Sequence, residues 1–393
     1  MRIMIRVALG AGAVLGLAAV ATPAAHAGGA PGGGWGHDGS PGHGRPVHGH
    51  VVFVQTDAVS GNQVVSYAAG GDGTLSEVGA TATGGLGGVL NGSVADHLGS
   101  QGSLAADPAH GLLYAVNAGS NSVSVFDVDG PWLTLRQVVG SGGTFPVSVA
   151  VHGDLVYVLN ALGTPDVTGF VQSGGTLHRL WGSTRALGLA VPTDSTQFTS
   201  TPGQVAFSPN GSQLLVTTKN NPAGNDVDVF AVGPDGRPSA QPVRDAEPGT
   251  VPFAVAFDAA GHLVLGEAGP SSLATFVLRH DGTLVPLDNV ASGQPGLCWV
   301  TVAGPFFFTG NSGSNSTSGY AQTGGGHLAL LGSTPTDPGT VDGAATPDGR
   351  FLYVQTGGEG IVDEFAVSPS GSLDNVGSVT VPGAVGGEGI AAW

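Results

Sequence analysis

The chain has 393 residues, of which only 10% are charged, and it carries 70 glycines and 26 prolines. So few helix formers among so many Gly, Val, Thr and Leu residues exclude a helical bundle. A formal net charge of −17, with Lys219 as the only lysine, excludes a nucleic-acid binder, which needs a basic stripe to displace counterions.

The chain opens on a secretory pattern. Arg2 and Arg6 form a basic start, Val7 to Val20 is apolar, and Ala25-His26-Ala27 is an A-x-A cleavage site. The apolar run is too short to span a bilayer. No twin arginine precedes it and no cysteine follows it, so the pattern predicts an exported, soluble protein without a membrane or lipid anchor. Loss of residues 1–27 leaves nine basic residues against 28 acidic ones. Residues 28–50 are rich in Gly and Pro and hold His37, His43, His48 and His50; they predict a disordered linker, with weak metal binding as the alternative to a solvated leader.

From Val51 onward one pattern recurs. Its clearest copy is Gly111 to Val128, an apolar run, the turn Asn-Ala-Gly-Ser-Asn, and an alternating run, which together predict two antiparallel strands. Seven copies of the first run align: VVFVQT (51–56), LLYAVN (112–117), LVYVLN (155–160), LLVTTK (214–219), HLVLGE (262–267), FFFTGN (306–311) and FLYVQT (351–356). The following strand has seven copies too, each with an aromatic near its end: Tyr67, Phe126, Phe170, Phe230, Phe276, Tyr320 and Phe365. Gly-rich turns and a Leu then lead to an outer strand, and a short β run such as QVAFSP (204–209) precedes most first copies.

The anchors lie 61, 43, 59, 48, 44 and 45 residues apart, which is the length of a four-stranded propeller blade. The prediction is an all-β, seven-bladed β-propeller over residues 51–393. Insertions fall at about Thr81 to Gln101 and Gly182 to Gly203. A two-sheet sandwich does not account for seven similar units. The first blade lacks an inner strand, and the terminal GGEGIAAW (386–393) has the inner-strand pattern, so the C-terminus is expected to close the ring and remove an open edge.

Propeller connectivity puts the starts of inner strands and the ends of second strands on one face, around the channel mouth. The second-strand ends read as Thr56, Asn117, Asn160, Lys219, Glu267, Asn311 and Thr356, and the inner-strand starts as Gln101, Ser103, Ser148, Gln204, Cys298, Asp342 and Glu388. This polar ring is the candidate ligand site. Asn before a Gly-containing turn is also ordinary turn chemistry. Lys219 and Glu267 break the Asn/Thr pattern in neighbouring blades. They read either as a rim ion pair or as catalytic groups, one orienting a ligand and one acting as acid or base. Cys298 beside Trp299 reads as a small buried apolar pair, since no histidine stands as its base. Asp226 and Asp228 match no strict calcium loop. No cofactor motif and no metal site is read, and the chain is expected to be a monomer that takes a small-molecule or carbohydrate ligand.

Strands such as LLYAVNAGSNSVSVFDV and GRFLYVQTGGEGIVDEFAV, with SPNG and TPDG turns, resemble the seven-bladed lactonase-like propellers, the group of 6-phosphogluconolactonase and carboxymuconate-cyclase-like proteins. The resemblance covers residues 51–393 and implies hydrolysis or ring opening of a lactone, with Glu267 as base or orienter and Lys219, Asn311 and Gln204 as positioners. Where the phosphogluconolactonases carry a His-Pro-Arg run, this chain has Val251-Pro252-Phe253; where they carry Asn-Glu, it has Gly266-Glu267. Where they carry Asn-Arg-Gly-His, it has Asn311-Ser312-Gly313. Loss of those cations argues for a neutral substrate over a phosphorylated one. A non-catalytic propeller that binds a sugar, peptide or cell-wall ligand on the same face is the alternative.

Overall fold

The computed structural model describes residues 49–393; the secretory pattern and the linker as far as His48 lie outside the described residues. Seven antiparallel sheets follow one another along the chain, six of four strands and one of five. Their inner strands are Leu104–Asp107, Thr144–His152, Val205–Phe207, Pro252–Phe257, Leu297–Ala303, Thr340–Ala345 and, for the first blade, the C-terminal Ile390–Ala392. The chain is therefore a seven-bladed β-propeller.

Each blade grades from a buried inside to a wet outside. Second strands such as Leu112–Asn117 and Phe351–Thr356 are buried at every position, because both faces pack on neighbouring blades. Outer strands such as Trp132–Gly140 alternate between exposed and half-buried residues. The seven third-strand aromatics are all buried, at most 5% exposed, and fill the space between sheets. In five blades the outer strand carries an extra residue opposite that aromatic, at Tyr67, Phe126, Phe276, Tyr320 and Phe365. A bulge there sharpens the local twist, which a blade needs to splay outward from the axis.

The ring closes as the sequence implies. Ile390–Ala392 pairs antiparallel with Val51–Gln55, in the register Val52↔Ala392, Phe53↔Ala391 and Val54↔Ile390. The Gln55 amide donates to the Gly389 carbonyl at 2.8 Å, and Val51 and Trp393 exchange two bonds of 3.0 and 2.8 Å. Trp393 sets its ring edge-on to Phe53.

The two insertions cross over the mouth and meet. The Asn91 side chain donates to the Thr193 carbonyl at 2.9 Å, the Asn91 amide donates to Gln197 Oε1 at 3.0 Å, and the Phe198 amide donates to the Asn91 carbonyl at 3.1 Å. Gly92 approaches the Ser195 carbonyl so closely that an added Cβ would lie 2.0 Å from its oxygen, and its φ is +91°. Only glycine fits that crossing.

Ile390 is 5% exposed and belongs to the core cluster of the first and last blades. Ile390→Ala is expected to cost about 2–5 kcal/mol, measured by denaturant unfolding of the full chain. An unchanged midpoint would mean that the closing strand lies outside the cooperative unit.

Candidate functional site

The turns that end the second strands, of four residues in four blades and longer in the other three, carry the polar ring, and register decides where each side chain points. Asn117 pairs with Ser122, Asn160 with Asp166, Glu267 with Ser272, Asn311 with Ser316 and Thr356 with Ile361. In the fourth blade Thr217 pairs with Val227, and the Thr218 amide donates to the Asp226 carbonyl, so Thr218 occupies the equivalent place. Lys219 sits one residue further on. The alignment of LLVTTK with LLYAVN is thus corrected by one residue, and a one-residue slip sends a side chain to the other face. Lys219 also takes a left-handed backbone, φ +51°, as does the equivalent Asp57 of the first blade, φ +52°.

Residues at the ring position serve the sheets. Asn117 Nδ2 donates to Ser122 and Ser124, Asn311 Nδ2 donates to Ser316 and Ser318, and Asn160 Nδ2 donates to Asp166 Oδ1. Glu267 does the same work with opposite polarity: its Oε2 accepts from Ser272 Oγ and Asn289 Nδ2, both at 2.8 Å. These four residues are 0–2% exposed. Glu267 lies towards the fourth blade, where its charge and burial push Glu247 up to about 7, burial being the larger cause. Lys219 and Glu267 therefore have separate partners and form no pair.

The inner-strand starts have another duty. An inner strand has one edge without a sheet neighbour, and its backbone groups need partners. Gln101 spans the channel, donating from Nε2 to the Val300 carbonyl and accepting the Val300 amide on Oε1, both at 2.9 Å. Gln204 Oε1 accepts the Val255 amide at 2.7 Å. Ser148 Oγ donates to the Gln101 carbonyl at 2.7 Å and accepts the Val205 amide at 3.2 Å. Cys298 and Asp342 fall where the inner strand bulges out of register, between Leu297 and Trp299 and between Thr340 and Gly343, which re-aims their side chains. Asp342 accepts its neighbour's amide, Gly343, at 2.8 Å.

What gathers at the mouth is a cluster of buried charges that the residue pattern only half reveals. Lys219 is 2% exposed; its Nζ donates to the Gly99 carbonyl at 2.5 Å and the Phe198 carbonyl at 2.7 Å, one from each insertion. The rings of Phe198 and Phe253 flank it, with centroids 5.2 and 5.4 Å away. Burial lowers its pKa to about 8, against the pull of Asp96 and Glu388. Asp96 and Glu388 act on it, and Asp57 and Asp342 adjoin those two acids; all four carboxyls are at most 3% exposed. Asp57 Oδ2 accepts the Glu388 amide at 2.8 Å, and Asp96 Oδ1 accepts the amides of Leu98 and Gly99 at 3.0 and 2.8 Å. Burial raises Asp57 and Asp342 to about 7 and raises Asp96 and Glu388 as well.

Beside this cluster opens a pocket of about 250 Å³. Gly92, Val94, Ala95 and Asp96 of the first insertion and Phe198 of the second form one side; Cys298, Trp299, Ser312 and Val341 form the other. Trp299 is fixed by its Nε1, which donates to the Ser100 carbonyl at 2.7 Å. The Cys298 thiol is pushed up to about 12, by burial first and the Asp96 charge second, so it is no nucleophile at neutral pH. Of the sequence candidates only Cys298 lines this pocket, with Lys219 behind Phe198. Glu388, in GGEGIAAW, is one of the inner-strand starts of the ring, whereas the residue pattern misses Asp96; it stands in SVADHLGS, and the only signal for it is that it is the one acid of the first insertion. Asp226 and Asp228 belong to the fourth blade, where Asp228 faces Arg244 Nε at 3.4 Å; among the described residues no group of three or more His, Cys, Asp or Glu is arranged to hold a metal ion.

With fold and site in view, the chain is similar in fold to several bacterial proteins of known structure. It is similar to the periplasmic gluconolactonase of Pseudomonas aeruginosa, at 19% identity and TM-score 0.69, over 87% of this chain and 98% of that one. A protein of Lactobacillus plantarum matches at 21% identity and TM-score 0.69, over 88% of this chain and 98% of its own. A protein of Bacteroides uniformis provisionally described as a 6-phosphogluconolactonase matches at 18% and 0.69, over 88% of this chain and 99% of its own. At these identities the likeness shows the shared fold. No protein-family model matches the sequence, and no curated protein matches it.

The charge cluster contributes to the pH dependence of stability, beside Asp228, Glu247 and Asp363, which burial also raises to about 7. Asp57 and Asp342 bind their protons more tightly folded than unfolded, so their contribution is complete below about pH 4 and is lost as pH rises through about 7. Lys219 binds its proton less tightly folded, so stability recovers as pH rises from about 8 to about 10.5. Melting temperatures should pass through a minimum near pH 8, and Asp342→Asn should flatten the acid side of the curve. A melting temperature that climbs steadily from pH 5 to 8 would contradict this. Lys219→Ala strands the two carbonyls and the carboxylates together and is expected to cost about 3–5 kcal/mol, read from denaturant unfolding.

Proposed function

We propose that the protein is an exported hydrolase of the lactonase type, opening a small neutral lactone at the channel mouth. The observation that carries this reading is the mouth pocket with Asp96 in its wall, backed by Lys219. At about 250 Å³ it is smaller than the roughly 300–1,000 Å³ of a drug-sized site, which suits a single ring. None of its lining residues is basic, and the nearest charges are mostly acidic, so an anionic or phosphorylated ring would be repelled. The fold shared with a periplasmic gluconolactonase and the A-x-A pattern at Ala25-His26-Ala27 both favour export.

The chemistry follows from the groups present. Ionised Asp96 takes a proton from a water as that water adds to the lactone carbonyl carbon. Asp96 returns the proton to the ring oxygen as the C–O bond breaks, giving the open hydroxy acid. The Lys219 ammonium, held behind Phe198, does not reach the substrate; its charge acts on Asp96, which it helps to keep ionised. Glu267, which occupies a slot between two sheets, is not needed for this route.

Asp96→Asn is expected to lower kcat/KM about 10²–10⁴-fold while the protein stays folded. The wild-type pH profile should be bell-shaped, rising as Asp96 ionises above the ordinary carboxylate range and falling near pH 8 as Lys219 loses its proton. A screen of five- and six-membered neutral lactones, run beside thermal-shift measurements on the same compounds, checks both. Stabilisation without turnover would make the protein a binding propeller. The same pocket favours that second reading in one respect, because most of its wall is apolar.

A further inference from the structure

We infer that the lactone taken by the mouth pocket carries an apolar arm, a hydrocarbon substituent that runs from the ring along the pocket wall and out past Val94, and that polyhydroxylated lactones are poor ligands. The ring-opening chemistry rests on the reading above; the apolar arm rests on the pocket lining alone.

The side chains of the wall decide what it can hold. Five of the nine lining residues, Val94, Ala95, Phe198, Trp299 and Val341, present hydrocarbon, and Gly92 adds no side chain. Polar side-chain atoms are few, and most are committed to the protein. Trp299 Nε1 donates to the Ser100 carbonyl at 2.7 Å, and Ser312 Oγ donates to the Gly296 carbonyl at 3.2 Å. Asp96 Oδ1 accepts the amides of Leu98 and Gly99, while Asp96 Oδ2 has no donor. The remaining polar hydrogen is that of the Cys298 thiol, a weak donor held protonated by its burial. A sugar-like ring needs donors and acceptors around its whole edge. Each hydroxyl buried here without a partner costs roughly 5- to 150-fold in binding. A hydrocarbon arm has no such need and gains from leaving water. An anionic arm is disfavoured by the acidic cluster behind the wall.

Val94 gives the arm its direction. It is 92% exposed, more than any other large hydrophobic among the described residues. A single exposed valine is ordinary on a surface; this one continues the wall of an apolar pocket. It is also held in place. The Ser93 amide donates to the Leu90 carbonyl at 3.1 Å, Ser93 Oγ donates to the Asp96 carbonyl, and the His97 amide donates to the Gly386 carbonyl at 2.8 Å. The turn thus fixes Val94 at the rim while Asp96, two residues on, is buried behind it. On the far wall Trp299 is braced by its indole bond and by the Phe253 ring, 5.0 Å away and steeply tilted to it. A ring opened by Asp96 lies at the acid, so the part of the ligand that covers Val94 is a substituent. Walls fixed beforehand lose little freedom when the arm lies between them.

The test is a homologous series on the full chain. Turnover is measured with γ-butyrolactone, γ-hexalactone, γ-octalactone and γ-decalactone, beside glucono-δ-lactone. Affinity is measured by calorimetric titration with alkylcyclopentanones of the same arm lengths, which cannot be hydrolysed. Both kcat/KM and affinity should rise about fourfold per buried methylene and level off once the arm has passed Val94. Glucono-δ-lactone should fall at least about tenfold below γ-octalactone. Val94→Ser should lower kcat/KM for γ-decalactone about threefold more than for γ-butyrolactone, through KM and not kcat. Lactones opened with no gain along the series, or glucono-δ-lactone opened as well as γ-octalactone, overturn the apolar arm and leave the ring-opening reading standing. Ketones that bind with the expected gain to a protein that opens no lactone sink the ring-opening reading and leave the arm. A gain that Val94→Ser leaves untouched puts the arm elsewhere and overturns the inference.

Discussion

The structure hangs on the pairing of its two ends. Seven sheets arranged around an axis bury their inner strands only if the last meets the first, and that contact is three paired residues plus the flanking bonds of Gly389 and Trp393. Without it the first blade would present the unpaired edge of Val51–Gln55 and the packed layer between the first and last blades would open to water. The same few residues bring Glu388 to the mouth. Ring closure and the charge cluster are thus one construction: the strand that seals the barrel of blades carries an acid into its most crowded electrostatic region.

Burying five ionisable groups at one place is expensive, and the arrangement shows how the cost is held down. The single ammonium of Lys219 is solvated by two carbonyls and two aromatic faces in place of water. The carboxyls are met by backbone amides of Leu98, Gly99, Ser100, Gly343 and Glu388. Burial raises all four acids, so protonation removes charge where donors run short. Because the carbonyls that hold Lys219 come one from each insertion, the lysine is also the rivet that pins the cap to the blades. A hydrophobic residue of similar length could fill the space but could not bind both carbonyls, so the cap would keep its packing and lose its fixed position.

Most of the fold was legible in the sequence because repetition averages over local accidents. Seven aromatics at one place in seven strands identify the blade, and the terminal GGEGIAAW matches an inner strand even though it stands hundreds of residues from its partner. The site was less legible for two physical reasons. Composition gives the residue type but not the backbone angle, and at Lys219 a left-handed φ after an offset of one residue turns the side chain from the gap between sheets to the axis. Polar residues at strand starts also look alike whether they await a ligand or serve an unpaired backbone edge. Gln101, Ser148 and Gln204 prove to serve edges, and the Val300, Val205 and Val255 amides they satisfy lie far away in sequence.

The separation of these two jobs explains how such a site can vary without disturbing the blades. The ring position faces neighbouring sheets and carries the staples Asn117, Asn160, Glu267 and Asn311, whose loss would expose buried donors and acceptors. The residues that face the pocket come from elsewhere: insertions that supply Asp96 and Phe198, and the inner-strand bulge that turns Cys298. Neither source belongs to the regular ladder. Change there alters the lining of the mouth pocket while the ladder, the staples and the closing strand remain as they are. On this architecture the polar residues that recur in every blade report the fold, and the ones that occur once, Asp96, Lys219 and Glu388, make up the buried charge cluster at the mouth.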